Sequence, residues 1–263
     1  STMNRIKLSV VLATYNEERN IARCLDSVKD LADEIVIADE SSTDNTKTIV
    51  KKYGARVLGV VHNDNFHITK NIAIDAAKGE WILQLDADEE ISKGLHDEIA
   101  DILKNGSKYD GLWMNRSNWF LNRFLKKGGQ YPDPTMRFYR NGKGRLPARD
   151  VHEQAQIKGE AGYFKHDLLH YRDTSFEKYL EGFNRYSSFI ANQLKEKNEK
   201  INIFNAINYL AVKPIYTFLL VYLRHRGYVD GFPGFVFALF SGLRFAIAYI
   251  KYWRVTKYPV KLS

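Results

Sequence analysis

Apolar runs alternate with helical segments over residues 8–86, and this alternation limits the fold more than any other feature of the chain. Each apolar run is nearly continuous, and helix-forming residues separate one run from the next. Strands of this kind are typical of a parallel sheet that is covered on both faces and joined by right-handed crossovers. The pattern therefore predicts an α/β fold with a mainly parallel sheet flanked by helices. The predicted strands are Leu8–Ala13, Glu34–Ala38, Ala55–Val60 and Trp81–Leu85.

Polar residues follow three of these four strands. The segments are Thr14–Glu17, Asp39–Asp44 and Asp86–Glu89. Because ligands of open α/β sheets bind at the carboxyl ends of the strands, we expect these segments to form one site. The sequence contains no Gly-x-Gly-x-x-Gly run and no Gly-Lys-Ser/Thr loop, so neither a dinucleotide fingerprint nor a P-loop accounts for that site.

Asp86 and Asp88 directly follow the fourth strand and are separated by one small residue. Both carboxylates can turn toward one hard cation, Mn²⁺ or Mg²⁺, which prefers oxygen ligands and leaves coordination positions for phosphates. An isolated Asp-x-Asp is more often an acidic turn at the end of a strand. The polar residues after the other strands favour the metal site, because phosphates bound without a glycine-rich loop require a cation.

Basic residues are concentrated in the tail of the chain, which has a net charge of +8 overall. From residue 201 onward, the chain has eight lysines and arginines but only one acidic residue, Asp230. Two apolar stretches, Ile201–Leu223 and Gly231–Tyr252, are interrupted by Lys213 and Arg244, so neither has the roughly twenty uncharged residues of a simple spanning helix. Their aromatic and basic residues favour amphipathic helices at an anionic membrane surface rather than a nucleic-acid partner. Core helices and spanning helices are the alternatives.

The order of four motifs resembles family 2 glycosyltransferases with the GT-A fold. The motifs are Ala13–Glu17, Asp39–Asp44, Lys70-Asn71 and Asp86–Glu89. Two further runs, Gly128–Glu153 and Arg226–Phe235, resemble the branch that contains the lipopolysaccharide core β-glucosyltransferases. The resemblance implies a GT-A-type, Rossmann-like sheet that is mixed but mainly parallel, with C-terminal amphipathic helices. One departure is Ser41, which stands where glycine is usual, so the turn must accept a Cβ.

The resemblance also implies roles for residues at the sheet edge. The residues implied in nucleotide binding are Thr14, Tyr15, Glu17, Asp39, Lys70 and Asp86. Asp39 would accept a hydrogen bond from the base, and Lys70 would meet the phosphates unless it is an ordinary surface lysine. The cation would be held directly by Asp88, with Asp86 contacting the ribose or the metal through water.

An inverting sugar transfer needs a base that removes the proton of the acceptor hydroxyl. Glu153 is the first candidate for this catalytic base and Asp150 the second. His152 either completes the metal shell, binds the diphosphate, or is an ordinary loop histidine. Arg137 is a candidate for bidentate binding of the diphosphate, with a structural ion pair as the alternative.

Together these features predict an inverting, metal-dependent transferase that moves a sugar from a nucleotide-diphosphate donor to a membrane-associated glycolipid or lipopolysaccharide core acceptor. UDP-sugars, with UDP-glucose as one candidate, are the expected donors, and Mn²⁺ or Mg²⁺ is the expected cofactor. The alternatives are a polyprenyl-phosphate glycosyltransferase and a non-catalytic membrane-bound adaptor that binds a nucleotide-sugar.

The predicted organisation is a nucleotide-sugar-binding half over 1–110, an acceptor-binding half over 111–200, and basic membrane-associated helices over 201–263. One cysteine, Cys24, excludes an internal disulfide and favours a reducing compartment. We therefore expect a peripheral or monotopic protein on the cytoplasmic face of the inner (plasma) membrane.

Overall fold

The computed structural model of the chain describes residues 6–63, 65–147 and 154–258. The contacts group the chain into two compact units. Unit 1 comprises Ser1–Arg116 and Asp133–His170, and unit 2 comprises Ser117–Pro132 and Tyr171–Ser263. This grouping differs from a division at residues 110 and 200, because the chain leaves unit 1 after Arg116 and returns to it at Asp133. The three-part division made from the sequence stays a prediction.

The main sheet of unit 1 runs in the order β3-β2-β1-β4-β8-β6-β12-β5, with β11 beside β6. Strands β1 to β4 are parallel, whereas β8 is antiparallel to both β4 and β6. The predicted mixed, mainly parallel sheet is therefore confirmed. The strands in chain order are β1 Leu8–Thr14, β2 Glu34–Asp39, β3 Arg56–Gly59, β4 Trp81–Gln84, β5 Glu89–Ile91, β6 Gly111–Phe120, β7 Arg123–Phe124, β8 Pro134–Arg140, β9 Gly144–Arg145, β10 Gln156–Ile157, β11 Ala161–Tyr163 and β12 Leu168–His170.

Every residue of β1 is buried, because both faces of the sheet are covered. Val10 and Leu12 belong to one hydrophobic cluster, and Val11, which points to the opposite face, belongs to another. Cys24 lies in the first of these clusters and is fully buried, as expected for a structural thiol. The helices are α1 Ile21–Asp26, α2 Thr46–Lys52, α3 Phe66–Ala76, α4 Lys93–Asn105 and α5 Phe176–Glu196.

Unit 2 is built mainly from helices. After α5, a first tail helix spans Ile203–Arg224 and a second tail helix spans Gly231–Lys257. The side chain of Ser175 caps α5 by accepting a hydrogen bond from the backbone N–H of Lys178 at 3.2 Å. Asp230, the single acid of the tail, is buried and accepts hydrogen bonds from the backbone N–H groups of Lys126 and Lys127.

By length and composition, two helical stretches of the described chain could cross a membrane, Ile203–Arg224 and Gly227–Lys257. The most apolar part of the first stretch is only 11% buried within the protein, compared with 44% for the second. A core helix would be mostly buried. The first tail helix therefore exposes an apolar surface that the described part of the chain leaves uncovered.

Candidate functional site

The carboxyl ends of β1 and β2 are joined by hydrogen bonds between buried polar side chains. Thr14 and Asp39 lie opposite each other in the parallel register, and the Thr14 hydroxyl donates to Asp39 Oδ2 at 2.9 Å. Asp39 also accepts from the Ser42 backbone N–H at 2.9 Å and from the Ser42 hydroxyl at 2.6 Å. Two predicted nucleotide-binding residues are thus brought together, and Asp39 orders the loop that follows β2.

Asn16 connects the loop after β1 to the loop after β2. Its backbone N–H donates to the Ser42 hydroxyl at 2.9 Å, and its side-chain oxygen accepts from the Thr43 backbone N–H at 2.8 Å. The residue has a φ of 54°, in the left-handed region that asparagine tolerates better than most residues. The next residue, Glu17, donates its backbone N–H to Thr46 Oγ1 at 2.8 Å. These bonds fix the segment that carries the predicted base and ribose contacts.

Ser41 adopts a φ of 61°, which is the left-handed conformation that glycine supplies at low cost. The Cβ at this position therefore leaves the turn in its glycine-like form, with the Ser41 hydroxyl donating to the Val60 carbonyl at 3.3 Å. The departure from the usual glycine does not displace Asp39 or Ser42 from the bonds described above.

Tyr15 is 42% exposed at the end of β1, and its ring lies 5.0 Å from the ring of His62, centroid to centroid. His62 Nδ1 is 2.6 Å from Glu40 Oε2, and Glu40 is fully buried. Thr69 on α3 also donates its hydroxyl to Glu40. His62 was not predicted as a site residue, although it follows β3 at the same sheet edge, and Glu40 was predicted only as part of the Asp39–Asp44 segment.

Asp86 lies between two basic side chains. Lys70 Nζ is 2.5 Å from Asp86 Oδ1, and Arg137 Nη2 is 2.6 Å from Asp86 Oδ2. Burial by itself raises the pKa of Asp86, but the positive charges of Arg137 and Lys70 outweigh it and hold the pKa well below its usual range. Both basic side chains are more than nine-tenths buried, so Lys70 is not an ordinary surface lysine.

Arg137 contacts a second carboxylate as well. Its Nη2 lies 2.9 Å from Glu89 Oε1, and Arg116 Nη1 lies 3.6 Å from the same oxygen. Glu89 Oε2 accepts a hydrogen bond from the Asp86 backbone N–H at 2.9 Å. The Nε of Arg137 is buried and has no hydrogen-bond partner among the described residues. The ion pair, which was the alternative role for Arg137, is therefore present, and the described residues leave its buried Nε–H without an acceptor.

Asp88 is paired with His170, whose Nε2 lies 3.5 Å from Asp88 Oδ2. Burial by itself raises the pKa of Asp88, but the hydrogen bond and the charge of His170 outweigh burial and hold the pKa below its usual range. His170 ends β12, which pairs with β5 at Glu89. His170 was not predicted as a site residue, because only this non-local pairing brings it to Asp88.

The donor set at this position partly fits a divalent cation. Asp88 and His170 provide a carboxylate and an imidazole at one place, whereas both oxygens of Asp86 are engaged with Lys70 and Arg137. Within the described ranges, no group of three or more His, Cys, Asp or Glu side chains could hold a metal ion. A cation would need further ligands from substrate phosphates, from water, or from elsewhere in the chain. The predicted residues Asp150, His152 and Glu153 lie outside the described residues.

Most of the residues of this site lie in a part of the chain that matches a known protein family. The sequence profile of the family described as Glycosyl transferase family 2 matches residues 9–168. This range includes the strand ends described above and their partners Lys70 and Arg137. It ends at the first residue of β12.

Proteins related in sequence carry glycosyltransferase names. An uncharacterised glycosyltransferase of Rickettsia typhi is 31% identical over 247 residues, which cover 88% of this chain and 81% of that protein. The lipopolysaccharide core biosynthesis glycosyltransferase LpsC of Rhizobium meliloti is 27% identical over 241 residues, which cover 89% of this chain and 87% of that protein. Among solved structures, S. aureus TarS 1–349 in complex with UDP is 20% identical, with 96% and 90% of the two chains covered and a TM-score of 0.49.

Replacing Asn16 tests whether this residue holds the two loops together. Asn16→Ala removes the oxygen that accepts the hydrogen bond from the Thr43 N–H. It also places alanine, which tolerates the left-handed conformation less well than asparagine, at a φ of 54°. The free energy of unfolding should therefore fall by about 1–2 kcal/mol. Asn16→Asp keeps an acceptor oxygen and should lose less than half of that amount. Urea unfolding of both variants measures the difference. An Asn16→Ala protein as stable as the parent would contradict this role.

Proposed function

Because the chain belongs to glycosyl transferase family 2, we propose that it transfers a sugar, with inversion, from a UDP-linked donor to a membrane-associated glycolipid. The matched region covers more than half of the chain, so the family resemblance seen in the sequence is confirmed. The similarity to LpsC supports the lipopolysaccharide core branch. The proposed acceptor is a lipopolysaccharide core, because the related protein LpsC is named as a glycosyltransferase of lipopolysaccharide core biosynthesis.

One observation carries the proposal for a diphosphate donor: Asp86 holds two buried cations, Lys70 and Arg137, at the carboxyl edge of the parallel strands. A sugar-nucleotide diphosphate brings negative charge that increases on the leaving group during transfer. Lys70 and Arg137 are already held by Asp86 and need no reorganisation to receive that charge, and preorganised donors of this kind stabilise a transition state most effectively. The unused Nε of Arg137 supports this role.

The nucleoside part of the donor would contact the ends of β1 and β2. Tyr15 offers an exposed aromatic ring for the base, and the loop that contains Glu17 is fixed by its bond to Thr46. Asp39 has accepted three hydrogen bonds from its own chain, so a fourth, from the base, would use its remaining acceptor capacity. Thr14 would contribute to nucleotide binding by positioning Asp39, to which its hydroxyl donates a hydrogen bond.

We propose Asp88 as the protein ligand of Mn²⁺ or Mg²⁺, with His170 beside it and Asp86 in an outer position. The cation would neutralise the diphosphate leaving group and orient it. His152 stays a candidate for the metal shell or the diphosphate. The base that removes the proton from the acceptor hydroxyl is proposed to be Glu153, with Asp150 as the second candidate.

The tail supports a position on a membrane. Apolar side chains on the first tail helix are each at least 45% exposed, which is unusual for a helix of a water-surrounded domain. These residues are Ile203, Phe204, Ile207, Leu210, Val212, Ile215, Tyr216, Leu219 and Leu223. The basic residues of the tail would attract an anionic leaflet. We propose peripheral or monotopic association with the cytoplasmic face of the inner (plasma) membrane, where lipid-linked acceptors are within reach.

The substitution Asp88→Asn tests the role of the metal. The substitution removes the negative charge but keeps the shape of the side chain. The rate of sugar transfer should fall at least about 100-fold, which is the typical cost of losing one electrostatic contribution to the stabilisation of the transition state. UDP should also bind no more tightly with Mn²⁺ than without it. The control Asp97→Asn removes a charge from an exposed position on α4 and should change neither quantity. An Asp88→Asn protein with parental activity would contradict the metal site.

The substitution Phe204→Glu tests the membrane-facing surface. Phe204 is 79% exposed on the first tail helix, so a charge there should weaken binding to vesicles that contain anionic lipid, by roughly tenfold or more, and leave the fold intact. The control is Val61→Glu, because Val61 is an 88% exposed apolar residue of unit 1. Vesicle sedimentation measures both. Equal weakening by the two substitutions would contradict a specific role for the tail.

A further inference from the structure

A groove of about 560 Å³ lies within unit 2, between α5 and the second tail helix. Its lining residues on α5 recur at intervals of three, four or seven, as one face of a helix requires. The lining residues on the second tail helix also recur at these intervals, so one face of that helix lines the groove. The residues on α5 include Lys178, Gly182, Arg185, Tyr186 and Phe189, and those on the tail helix are Phe237, Phe240, Ser241 and Arg244.

The charges along this groove are not balanced. Among the described residues that line the groove, Asp173 is the one acid, and its carboxylate accepts hydrogen bonds from Arg172 at 2.7 and 3.0 Å. Among the described residues, Lys178, Arg185 and Arg244 have no carboxylate partner. Three positive charges that face one groove without a counter-charge repel one another, and an anion bound between them would relieve that repulsion.

Arg244 shows the imbalance most clearly. Its guanidinium lies 5.0 Å from the ring centre of Phe245 and 5.5 Å from that of Tyr186, so aromatic rings position it. Its Nε is buried and has no hydrogen-bond partner within the described part of the chain. A buried donor without a partner is costly, and an oxygen of a bound ligand would satisfy it.

The interior of the groove is aromatic and open. Phe240 packs edge-on against Phe183, with ring centroids 5.3 Å apart. At Gly182 an added Cβ would meet no atom within 4 Å, so α5 leaves space at this point. Tyr186 and Phe189, which line the groove from α5, are 50% and 55% exposed. The groove therefore combines cations with an apolar surface, which suits a ligand that has both an anionic head and a hydrocarbon part.

We infer that this groove binds the phosphomonoester headgroup of a membrane lipid. A phosphomonoester carries a charge of about −1.5 to −2 at pH 7 and three acceptor oxygens, which match the three uncompensated cations. A phosphodiester has one charge and only two such oxygens. The inference rests on the proposed association of the tail with a membrane, and it adds a choice among lipids to that association.

The test uses the full chain and vesicles of phosphatidylcholine that contain either phosphatidic acid, a phosphomonoester, or phosphatidylglycerol, a phosphodiester, adjusted to equal surface charge. The protein should bind the phosphatidic acid vesicles at least tenfold more tightly. Arg244→Gln and Lys178→Gln should each abolish this preference. The control Arg254→Gln removes an exposed charge from the same helix outside the groove, and it should weaken binding to both vesicles equally.

A steric variant separates loss of the site from loss of the fold. Gly182→Leu fills the open space of the groove, and leucine favours a helix interior over glycine, so α5 should be retained. The preference for phosphatidic acid should nevertheless disappear. Retention of the preference in Gly182→Leu would overturn the assignment of the groove.

Three further outcomes distinguish a lipid headgroup from soluble phosphate, and the headgroup site from membrane association in general. Millimolar inorganic phosphate should not displace the protein from phosphatidic acid vesicles, and displacement would overturn the lipid assignment in favour of a soluble phosphate. Equal binding of the parent protein to both vesicles would overturn the headgroup site but leave membrane association in place. Binding to neither vesicle would overturn both proposals.

Discussion

The candidate site depends on the carboxylate of Asp86, which holds Lys70 from α3 and Arg137 from β8 in one place. Burying two cations is costly unless each has a partner of opposite charge, so these three residues stabilise their positions mutually. Glu89 adds a second carboxylate to Arg137 and accepts the backbone N–H of Asp86. Acidic side chains that follow β4 thus set the geometry of the basic ones. A bound diphosphate would meet cations that are already in position, with Asp88 and any metal beside them.

Much of this arrangement follows from local sequence. The apolar runs predicted the parallel strands β1 to β4. Strands β1, β2 and β4 are buried almost throughout, as near-continuous apolar runs require, whereas the edge strand β3 is only partly buried. Their polar ends then had to meet at one edge, as Thr14 and Asp39 do. Even Ser41 follows the family pattern, since its backbone takes the left-handed conformation that glycine would take.

The remaining contacts could not be predicted from the sequence, because they come from residues far apart in the chain. Strand β8 enters the sheet antiparallel to β4, and only that insertion brings Arg137 to Asp86. His170 reaches Asp88 through the pairing of β12 with β5. Neither strand carries a local signal of its partner. The boundary at Arg116 and Asp133 is hidden for the same reason, since contacts rather than composition group those segments.

We propose that this site transfers a sugar from a UDP-linked donor with the help of a divalent cation. The decisive experiment is a screen of UDP-sugars that monitors UDP release, with a lipid extract of a lipopolysaccharide-producing bacterium as acceptor. We expect UDP release with at least one donor, and this release should depend on both the lipid extract and Mn²⁺ or Mg²⁺. Tight UDP binding without turnover under any of these conditions would contradict it and indicate a nucleotide-sugar-binding adaptor. UDP release that requires polyprenyl phosphate in place of the lipid extract would contradict the proposed acceptor.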